Sequence, residues 1–135
     1  KAKDKPMFLH SQTGLEGEEA AARYMISKGY HLIERNWRFK HLETDLIMSR
    51  LGLLVFIEVK TLSHEGQSNP LIHVNKDKVV HLLNAAHAYM RTNQLDAPVR
   101  FDIISVIKDG NCYKVNHYPD AFDMFDKSSS TYVTG

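Results

Sequence analysis

The sequence predicts an α/β domain in which helices pack on a mixed β-sheet. Two observations support this. Helix-like and strand-like segments alternate in the order helix, three strands, helix, two strands, and the third strand is apolar on both faces. A strand of that kind needs a cover on each side of its sheet. We therefore expect the order α-β-β-β-α-β-β in one domain of residues 13–126, between flexible segments at 1–12 and 127–135.

The first helix is expected at about residues 14–28. Thr13 followed three residues later by Glu16 is a capping-box pattern, which marks the start of a helix. Three consecutive alanines then favour helix, and Gly29 is a natural stop.

Five strands and a second helix are expected after it. Apolar patterning places them at strands 30–39, 44–48 and 53–60, helix 76–92, and strands 98–107 and 112–117. Asn75 is expected to cap the second helix, and residues 120–125 to form a short final helix. The polar break at 49–52 predicts a hairpin between the second and third strands. Apolar residues at helical spacing predict the buried face of the second helix: Val79, Leu82, Leu83, Ala86 and Met90.

Composition indicates an ordinary soluble protein, with 43% hydrophobic and 24% charged residues. The net charge is +1, so a polyanionic partner would have to be met by a local basic patch. The longest apolar run, 51–59, is too short to span a bilayer, and no signal-peptide pattern is visible. The one cysteine, Cys112, excludes an intrachain disulfide and is expected in the core. We expect a cytoplasmic protein that does not associate with membranes.

Charged residues bound two apolar runs in the stretch 45–60. Asp45 opens the first run, and Glu58 and Lys60 close the second. If the two runs form a hairpin, these three groups meet at one end of it. Two neighbouring carboxylates repel each other and favour a bound cation or proton. Hard oxygen ligands suit Mg²⁺, or Mn²⁺ in its place, so the pattern predicts a metal site for cutting phosphodiesters.

Within this site, Asp45, Glu58 and the main-chain carbonyl of Val59 are the expected metal ligands. Lys60 is expected to orient or deprotonate a water, or to neutralise the charge that develops on the phosphate. The competing interpretation is an ion pair between Lys60 and either acid, with no catalytic role.

Glu18 is a further candidate for the same site. Capping explains Glu16, and pairing with Arg23 one turn away explains Glu19, but Glu18 has no such local explanation. Since the helix must pack on the sheet, Glu18 is placed to reach the metal. A solvated acid favoured by the helix dipole is the alternative.

Basic residues surround the single tryptophan. Arg35, Arg38 and Lys40 cluster about Trp37, as phosphate contacts beside a stacking aromatic ring would. The alternative is a solvated strand edge with Trp37 in the core. Lys78, in the second helix, is expected to face phosphates as well.

Other catalytic motifs are absent from the sequence. The eight histidines form neither an H-E-x-x-H pattern nor a zinc-ligand spacing. The sequence holds no P-loop, no G-x-G-x-x-G fingerprint and no G-x-S-x-G elbow. A zinc protease, a nucleotide-binding enzyme of those types and a serine hydrolase therefore have no support.

These residues resemble the YraN family of small bacterial proteins, which has the PD-(D/E)xK nuclease-like fold and is related to Holliday-junction resolvases. The resemblance covers about residues 14–122. It depends on the order and spacing of Gly17-Glu18, Ala20-Ala21, Gly29-Tyr30, Arg35-Asn36-Trp37-Arg38, Glu43-Thr44-Asp45-Leu46-Ile47, Val55-Phe56-Ile57-Glu58-Val59-Lys60-Thr61, Lys78, Arg100-Phe101-Asp102 and Ala121-Phe122. It implies a restriction-endonuclease-like mixed sheet with flanking helices.

The resemblance also implies a function. Asp45 and Glu58 would be the metal ligands, Lys60 the catalytic lysine and Glu18 the helix carboxylate of a Mg²⁺-dependent endonuclease. The implied substrate is structured or branched DNA, with DNA favoured over RNA. Resolvase relatives are dimers, which implies a homodimer as the assembly to test.

Two other hypotheses remain open. The first is a nucleic-acid-binding module that keeps the nuclease fold with little or no catalysis. Leu62, Val79 and His81 replace an arginine, a glutamine and an arginine that are usual in the family, and these losses favour that hypothesis. The second is a structural interaction protein with an ion pair at the strand ends.

Overall fold

The computed structural model describes residues 12–62 and 76–122. Their elements are α1 (Gln12–Ser27), β1 (His31–Phe39), β2 (Leu42–Arg50), β3 (Leu53–Leu62), α2 (Lys76–Thr92), β4 (Val99–Asp109) and β5 (Cys112–Tyr118). The strands form one sheet in the order β1-β2-β3-β4-β5. Strands β3 and β4 run parallel, and the other neighbours run antiparallel. The predicted α-β-β-β-α-β-β order and mixed sheet are confirmed.

Strand β3 is central and covered on both faces, as its two apolar faces predicted. Val55 and Ile57 are buried in the cluster that includes Met25 of α1. Leu54 and Phe56 point to the opposite face, where they cluster with Tyr89 of α2 and others. A parallel neighbour requires a crossover between strands, and the crossover from β3 to β4 carries α2.

The predicted turn between β2 and β3 is confirmed. Leu51 and Gly52 both have positive φ, 51° and 83°, which is typical of the tight hairpin turn whose twist matches its strands. Helix α1 ends as expected, because the Gly29 backbone N–H donates to the carbonyl of Ile26 and Gly29 has a φ of 98°.

The capping-box prediction is wrong. Helix α1 begins at Gln12, so Thr13 lies inside the helix and is not its N-cap. The carboxylate of Glu16 accepts a hydrogen bond from the hydroxyl of Tyr113 on β5. Glu16 therefore makes a tertiary contact that the capping box did not predict.

Two burial predictions are also wrong. Leu83 is 40% exposed, because α2 is rotated to bury the small side chains of Ala85 and Ala88. Cys112 is exposed, since it begins β5 at the edge of the sheet. Asn75 and most of the final short helix lie outside the described residues.

Neither described helix is long and apolar enough to cross a bilayer.

Strands β2 and β3 separate at one end. Their ladder runs from the hairpin turn to the pair Leu46 and Ile57 and stops there. Beyond this pair, β2 continues beside β1 and β3 continues beside β4. We call this opening the β2–β3 fork; it is formed by residues 42–45 and 58–62.

Helix α1 packs closely against the β3 side of the fork. A Cβ atom added at Gly17 would lie 2.3 Å from the Oγ1 atom of Thr61, so only glycine allows this approach without a shift. The close contact brings the next residue, Glu18, against the end of the sheet.

We expect Gly17→Ala to destabilise the protein by about 1–2 kcal/mol, because steric overlap with Thr61 outweighs the helix propensity gained. In a Thr61→Ala background the same change should be neutral or stabilising by up to about 1 kcal/mol. Urea unfolding of the four proteins measures this coupling. Equal effects of Gly17→Ala in both backgrounds would rule out the contact as the reason for the glycine.

Candidate metal centre

Asp45 lies at the β2–β3 fork, just beyond the last paired residues. Its Oδ2 atom accepts a hydrogen bond from the backbone N–H of Val59 at 2.8 Å. If the ladder continued, the N–H of Val59 would donate to a backbone carbonyl of β2. Here it donates to the carboxylate of Asp45 instead. This bond fixes Asp45 against the segment of β3 that holds Glu58 and Lys60.

Two lysines meet on one oxygen of Glu58. Its Oε2 atom is 3.4 Å from the Nζ atom of Lys60 and 3.1 Å from the Nζ atom of Lys78. The glutamate side chain is only 13% exposed, so both contacts are partly shielded from water. The ion pair considered for Lys60 is present. Lys78, expected on phosphates, contacts a proposed metal ligand.

Glu18 of α1 acts on Asp45 through its charge. It is 8% exposed, and its negative charge raises the pKa of Asp45 across the fork. The alternative of a solvated acid is therefore wrong. Glu18 reaches the site because Gly17 lets α1 approach Thr61 closely.

The pKa of the Asp45 carboxyl is strongly raised. Burial is the largest cause that raises its pKa to about 7, and the negative charges of Glu58 and Glu18 raise it further. The hydrogen bond from Val59 and the charge of Lys78 act in the opposite direction. Without another cation, this carboxyl is substantially protonated near neutral pH.

This donor set fits a hard divalent cation. A bound cation would relieve the repulsion between carboxylates that raises the pKa of Asp45. Glu58 already attracts positive charge, because two ammonium groups contact it. Across residues 12–62 and 76–122, no three His, Cys, Asp or Glu side chains converge into a ready-made metal cluster. Asp45 and Glu58 would therefore share the ion with waters, as is usual for Mg²⁺. The structure does not test the Val59 carbonyl as a third ligand.

The basic residues predicted to bind nucleic acid lie on or beside β1. Arg35 forms an ion pair with Glu19 of α1 at 2.8 Å. Arg38 pairs with Glu43 of β2 at 3.2 Å. Lys40 lies over the ring of Phe39, with its Nζ atom 5.4 Å from the ring centroid. The structure does not gather these three residues around the metal centre.

Trp37 is half-buried between two rings. It lies parallel to Phe39, with a centroid separation of 6.2 Å and an interplanar angle of 8°, and meets the ring of Tyr89 edge-on at 5.3 Å. Beyond Phe39, the rings of His41 and His81 lie 6.1 Å apart. His81 lies one turn after Lys78 on α2. We call Trp37, Phe39, His41 and His81 the aromatic strip.

A second polar cluster, around Asp102, was not predicted from the sequence. The side chain of Asp102 is fully buried and accepts two hydrogen bonds from Arg100, at 2.8 and 2.7 Å. It also contacts Nε2 of His117 at 2.7 Å and accepts the backbone N–H of Asp120 at 3.0 Å. Burial raises the pKa of Asp102, but these donors outweigh burial and lower it. Arg100 also donates to the hydroxyl of Tyr30, so the cluster joins β4, β5 and the entry to β1.

The raised pKa of Asp45 predicts a pH-dependent stability without metal. Below pH 4 both folded and unfolded states hold its proton, and between about 4 and 7 only the folded state does. Stability therefore falls as pH rises through this window. In EDTA, the free energy of unfolding of the wild type should fall between pH 5 and 8. We expect this fall to be smaller by about 1–3 kcal/mol in Asp45→Asn. An equal loss in both proteins, measured by urea unfolding, would contradict this.

Comparisons with known proteins agree with the resemblance noted above. The model of the "Uncharacterised protein family UPF0102" matches residues 17–106. A UPF0102 protein of Bacteroides thetaiotaomicron is 40% identical over 116 residues, 86% of this chain and 96% of that one. One of Flavobacterium psychrophilum is 37% identical over 119 residues, 88% of this chain and 100% of that one.

Among solved structures, Pyrococcus furiosus SfsA in complex with Ca²⁺ matches with a TM-score of 0.34 and 14% identity. The match covers 79% of this chain and 62% of that chain, and a likeness this low has no bearing on function. The family match spans most of the chain and includes the β2–β3 fork. The chain belongs to the UPF0102 (YraN) family.

Proposed function

We propose that this protein is a Mg²⁺-dependent endonuclease that acts on structured or branched DNA. One observation carries the proposal: at the β2–β3 fork Asp45 is hydrogen-bonded to Val59, the residue next to Glu58, and Lys60 contacts the carboxylate of Glu58. Two carboxylates and a lysine at the open end of a sheet supply the negative ligands and the positive group that phosphodiester hydrolysis needs.

Each residue has a distinct part in this proposal. Mg²⁺ held by Asp45 and Glu58 would supply an activated water and neutralise charge on the scissile phosphate. Asp45 and Glu58 bind the ion, and the main-chain oxygen of Val59 is proposed as a third ligand. Lys60 orients the attacking water, accepts its proton, or neutralises charge on the phosphate. Glu18 adds negative charge from α1 that favours retention of the ion.

The aromatic strip supports nucleic acid as the substrate. Half-buried rings at Trp37 and Phe39 offer faces on which an unpaired base can stack, and Lys40 supplies a positive charge beside them. Arg35 and Arg38 can exchange their surface carboxylate partners for phosphates at small cost, because such exposed ion pairs contribute about 0–1 kcal/mol. Branched DNA presents both unpaired bases and a two-fold symmetry that would suit a homodimer.

A second function is favoured by one observation. Lys60 and Lys78 already neutralise Glu58, so the acidic cluster is compatible with a metal-free protein. On this alternative the fold is a nucleic-acid-binding platform with little or no catalysis. Calorimetric titration with Mg²⁺ separates the two, since the nuclease must bind the ion at this site.

We expect Asp45→Asn, Glu58→Gln and Lys60→Gln each to reduce metal-dependent cleavage by about 100-fold or more, because each removes a ligand or a charge that acts in the transition state. The measurement is a cleavage screen over four-way, nicked and single-stranded DNA with Mg²⁺ or Mn²⁺.

Glu43→Gln is the matched control for the two acidic substitutions. Glu43 is an exposed acid on the same strand as Asp45 and pairs with Arg38 on the surface. Its substitution should leave the cleavage rate within about twofold. Cleavage that survives Asp45→Asn and Glu58→Gln would place the chemistry elsewhere or in a contaminating enzyme.

The single tryptophan permits a direct binding test. In EDTA, a single-stranded oligonucleotide should quench the fluorescence of Trp37, and Lys40→Gln should weaken binding and lower the salt slope by about one. Lys28→Gln, in the turn that follows α1, is the control of equal charge. Quenching that is absent at low salt, or equal effects of the two variants, would remove the aromatic strip from the binding surface.

A further inference from the structure

Lys78 contacts Glu58, one of the two proposed metal ligands, from outside the strand pair. It lies in the first turn of α2, and its Nζ atom is 3.1 Å from Oε2 of Glu58. Its charge also lowers the pKa of Asp45, so the same ammonium acts on the second carboxylate. A positive group in this position neutralises the acidic pair in the manner of a bound cation.

The two lysines differ in how they are held. Lys60 is on β3, two residues from Glu58, and the paired strand fixes its backbone. Lys78 reaches Glu58 from a separate helix, and its side chain is 34% exposed. A lysine stem is long and flexible, and its compact ammonium is readily rehydrated. Lys78 can therefore move away from Glu58 without disturbing β3, whereas Lys60 shares that strand with Glu58.

We propose that Lys78 is a displaceable counter-ion, which neutralises Asp45 and Glu58 in the metal-free protein and is released towards a nucleic-acid phosphate when a divalent cation binds. This inference rests on the proposed function, because it takes the same two carboxylates as the metal ligands. It assigns Lys78 a regulatory role at the site, distinct from that of Lys60.

Electrostatics fixes the direction of the coupling. A divalent ion held by Asp45 and Glu58 would repel the ammonium of Lys78, so metal binding would weaken the contact between Lys78 and Glu58. The released ammonium is then free to contact a phosphate on the α2 side of the fork. Because coupling between ligands is reciprocal, metal and nucleic acid each favour the binding of the other.

The first test is the affinity for Mg²⁺ alone, measured by calorimetry without nucleic acid. We expect Lys78→Gln to bind Mg²⁺ about three- to tenfold more tightly than the wild type, because the competing positive charge is gone. A lysine that only contacts phosphate would leave the affinity unchanged, and one needed only to hold the fold would weaken it. Either of those results would overturn the inference.

Arg91→Gln is the matched control, since it removes one positive charge from the same helix about 20 Å away. It should leave the affinity for Mg²⁺ unchanged. A tighter affinity in Arg91→Gln equal to that in Lys78→Gln would show a general effect of net charge and overturn the inference. Urea unfolding of both variants verifies that each is folded.

The second test measures the coupling itself. Binding of a labelled four-way DNA junction is compared with and without Ca²⁺, a hard cation with the same preference for oxygen ligands. Ca²⁺ should strengthen binding several-fold more in the wild type than in Lys78→Gln. Equal enhancement in the two proteins would contradict the release of Lys78.

The outcomes separate this inference from the proposed function. If the wild type takes up no Mg²⁺, both fail. If the wild type binds Mg²⁺ through Asp45 and Glu58 but Lys78→Gln binds no more tightly, the metal site stands and the counter-ion role of Lys78 fails.

Discussion

The hydrogen bond from the backbone of Val59 to the carboxylate of Asp45 is the interaction on which the rest of the site depends. It occurs where β2 and β3 separate, so a side chain replaces the backbone partner that a continuous ladder would supply. The bond closes the open end of the sheet and at the same time draws a carboxylate into a partly buried position. The separation of β2 and β3 therefore both ends their ladder and places Asp45 at the candidate site.

The charges around this bond explain why the site is poised to accept a cation. The charges of Glu18 and Glu58 both act on the partly buried Asp45, and two lysines compensate Glu58. Burying an uncompensated charge is costly, so Asp45 retains a proton at a pH where an ordinary aspartate has lost it. A proton, a lysine and a metal ion are alternative ways to neutralise the charge of these carboxylates.

Much of the fold was predictable from the sequence because its elements carry strong local signals. The apolar runs that end in charges marked β2 and β3, and α2 was expected within the bounds that the structure gives. Contacts between distant elements were not predictable. The ion pair between Lys78 and Glu58 depends on the direction of the crossover, and the cluster around Asp102 depends on how β4 pairs with β5. Leu83 was misplaced because the buried face of α2 includes Ala85, Ala88 and Tyr89 and leaves Leu83 at its exposed margin.

The β2–β3 fork also determines when the site can exist during protein synthesis. Beyond Ile57, β3 has left β2, and its paired neighbour over residues 58–62 is the stretch 103–107 of β4. That stretch emerges from the ribosome long after Asp45 and Glu58, so a growing chain holds both acids before it holds the strand that aligns them. Parallel pairing of this kind requires long-range closure and forms late in folding. A chain therefore assembles its acidic cluster only when most of the domain has been made.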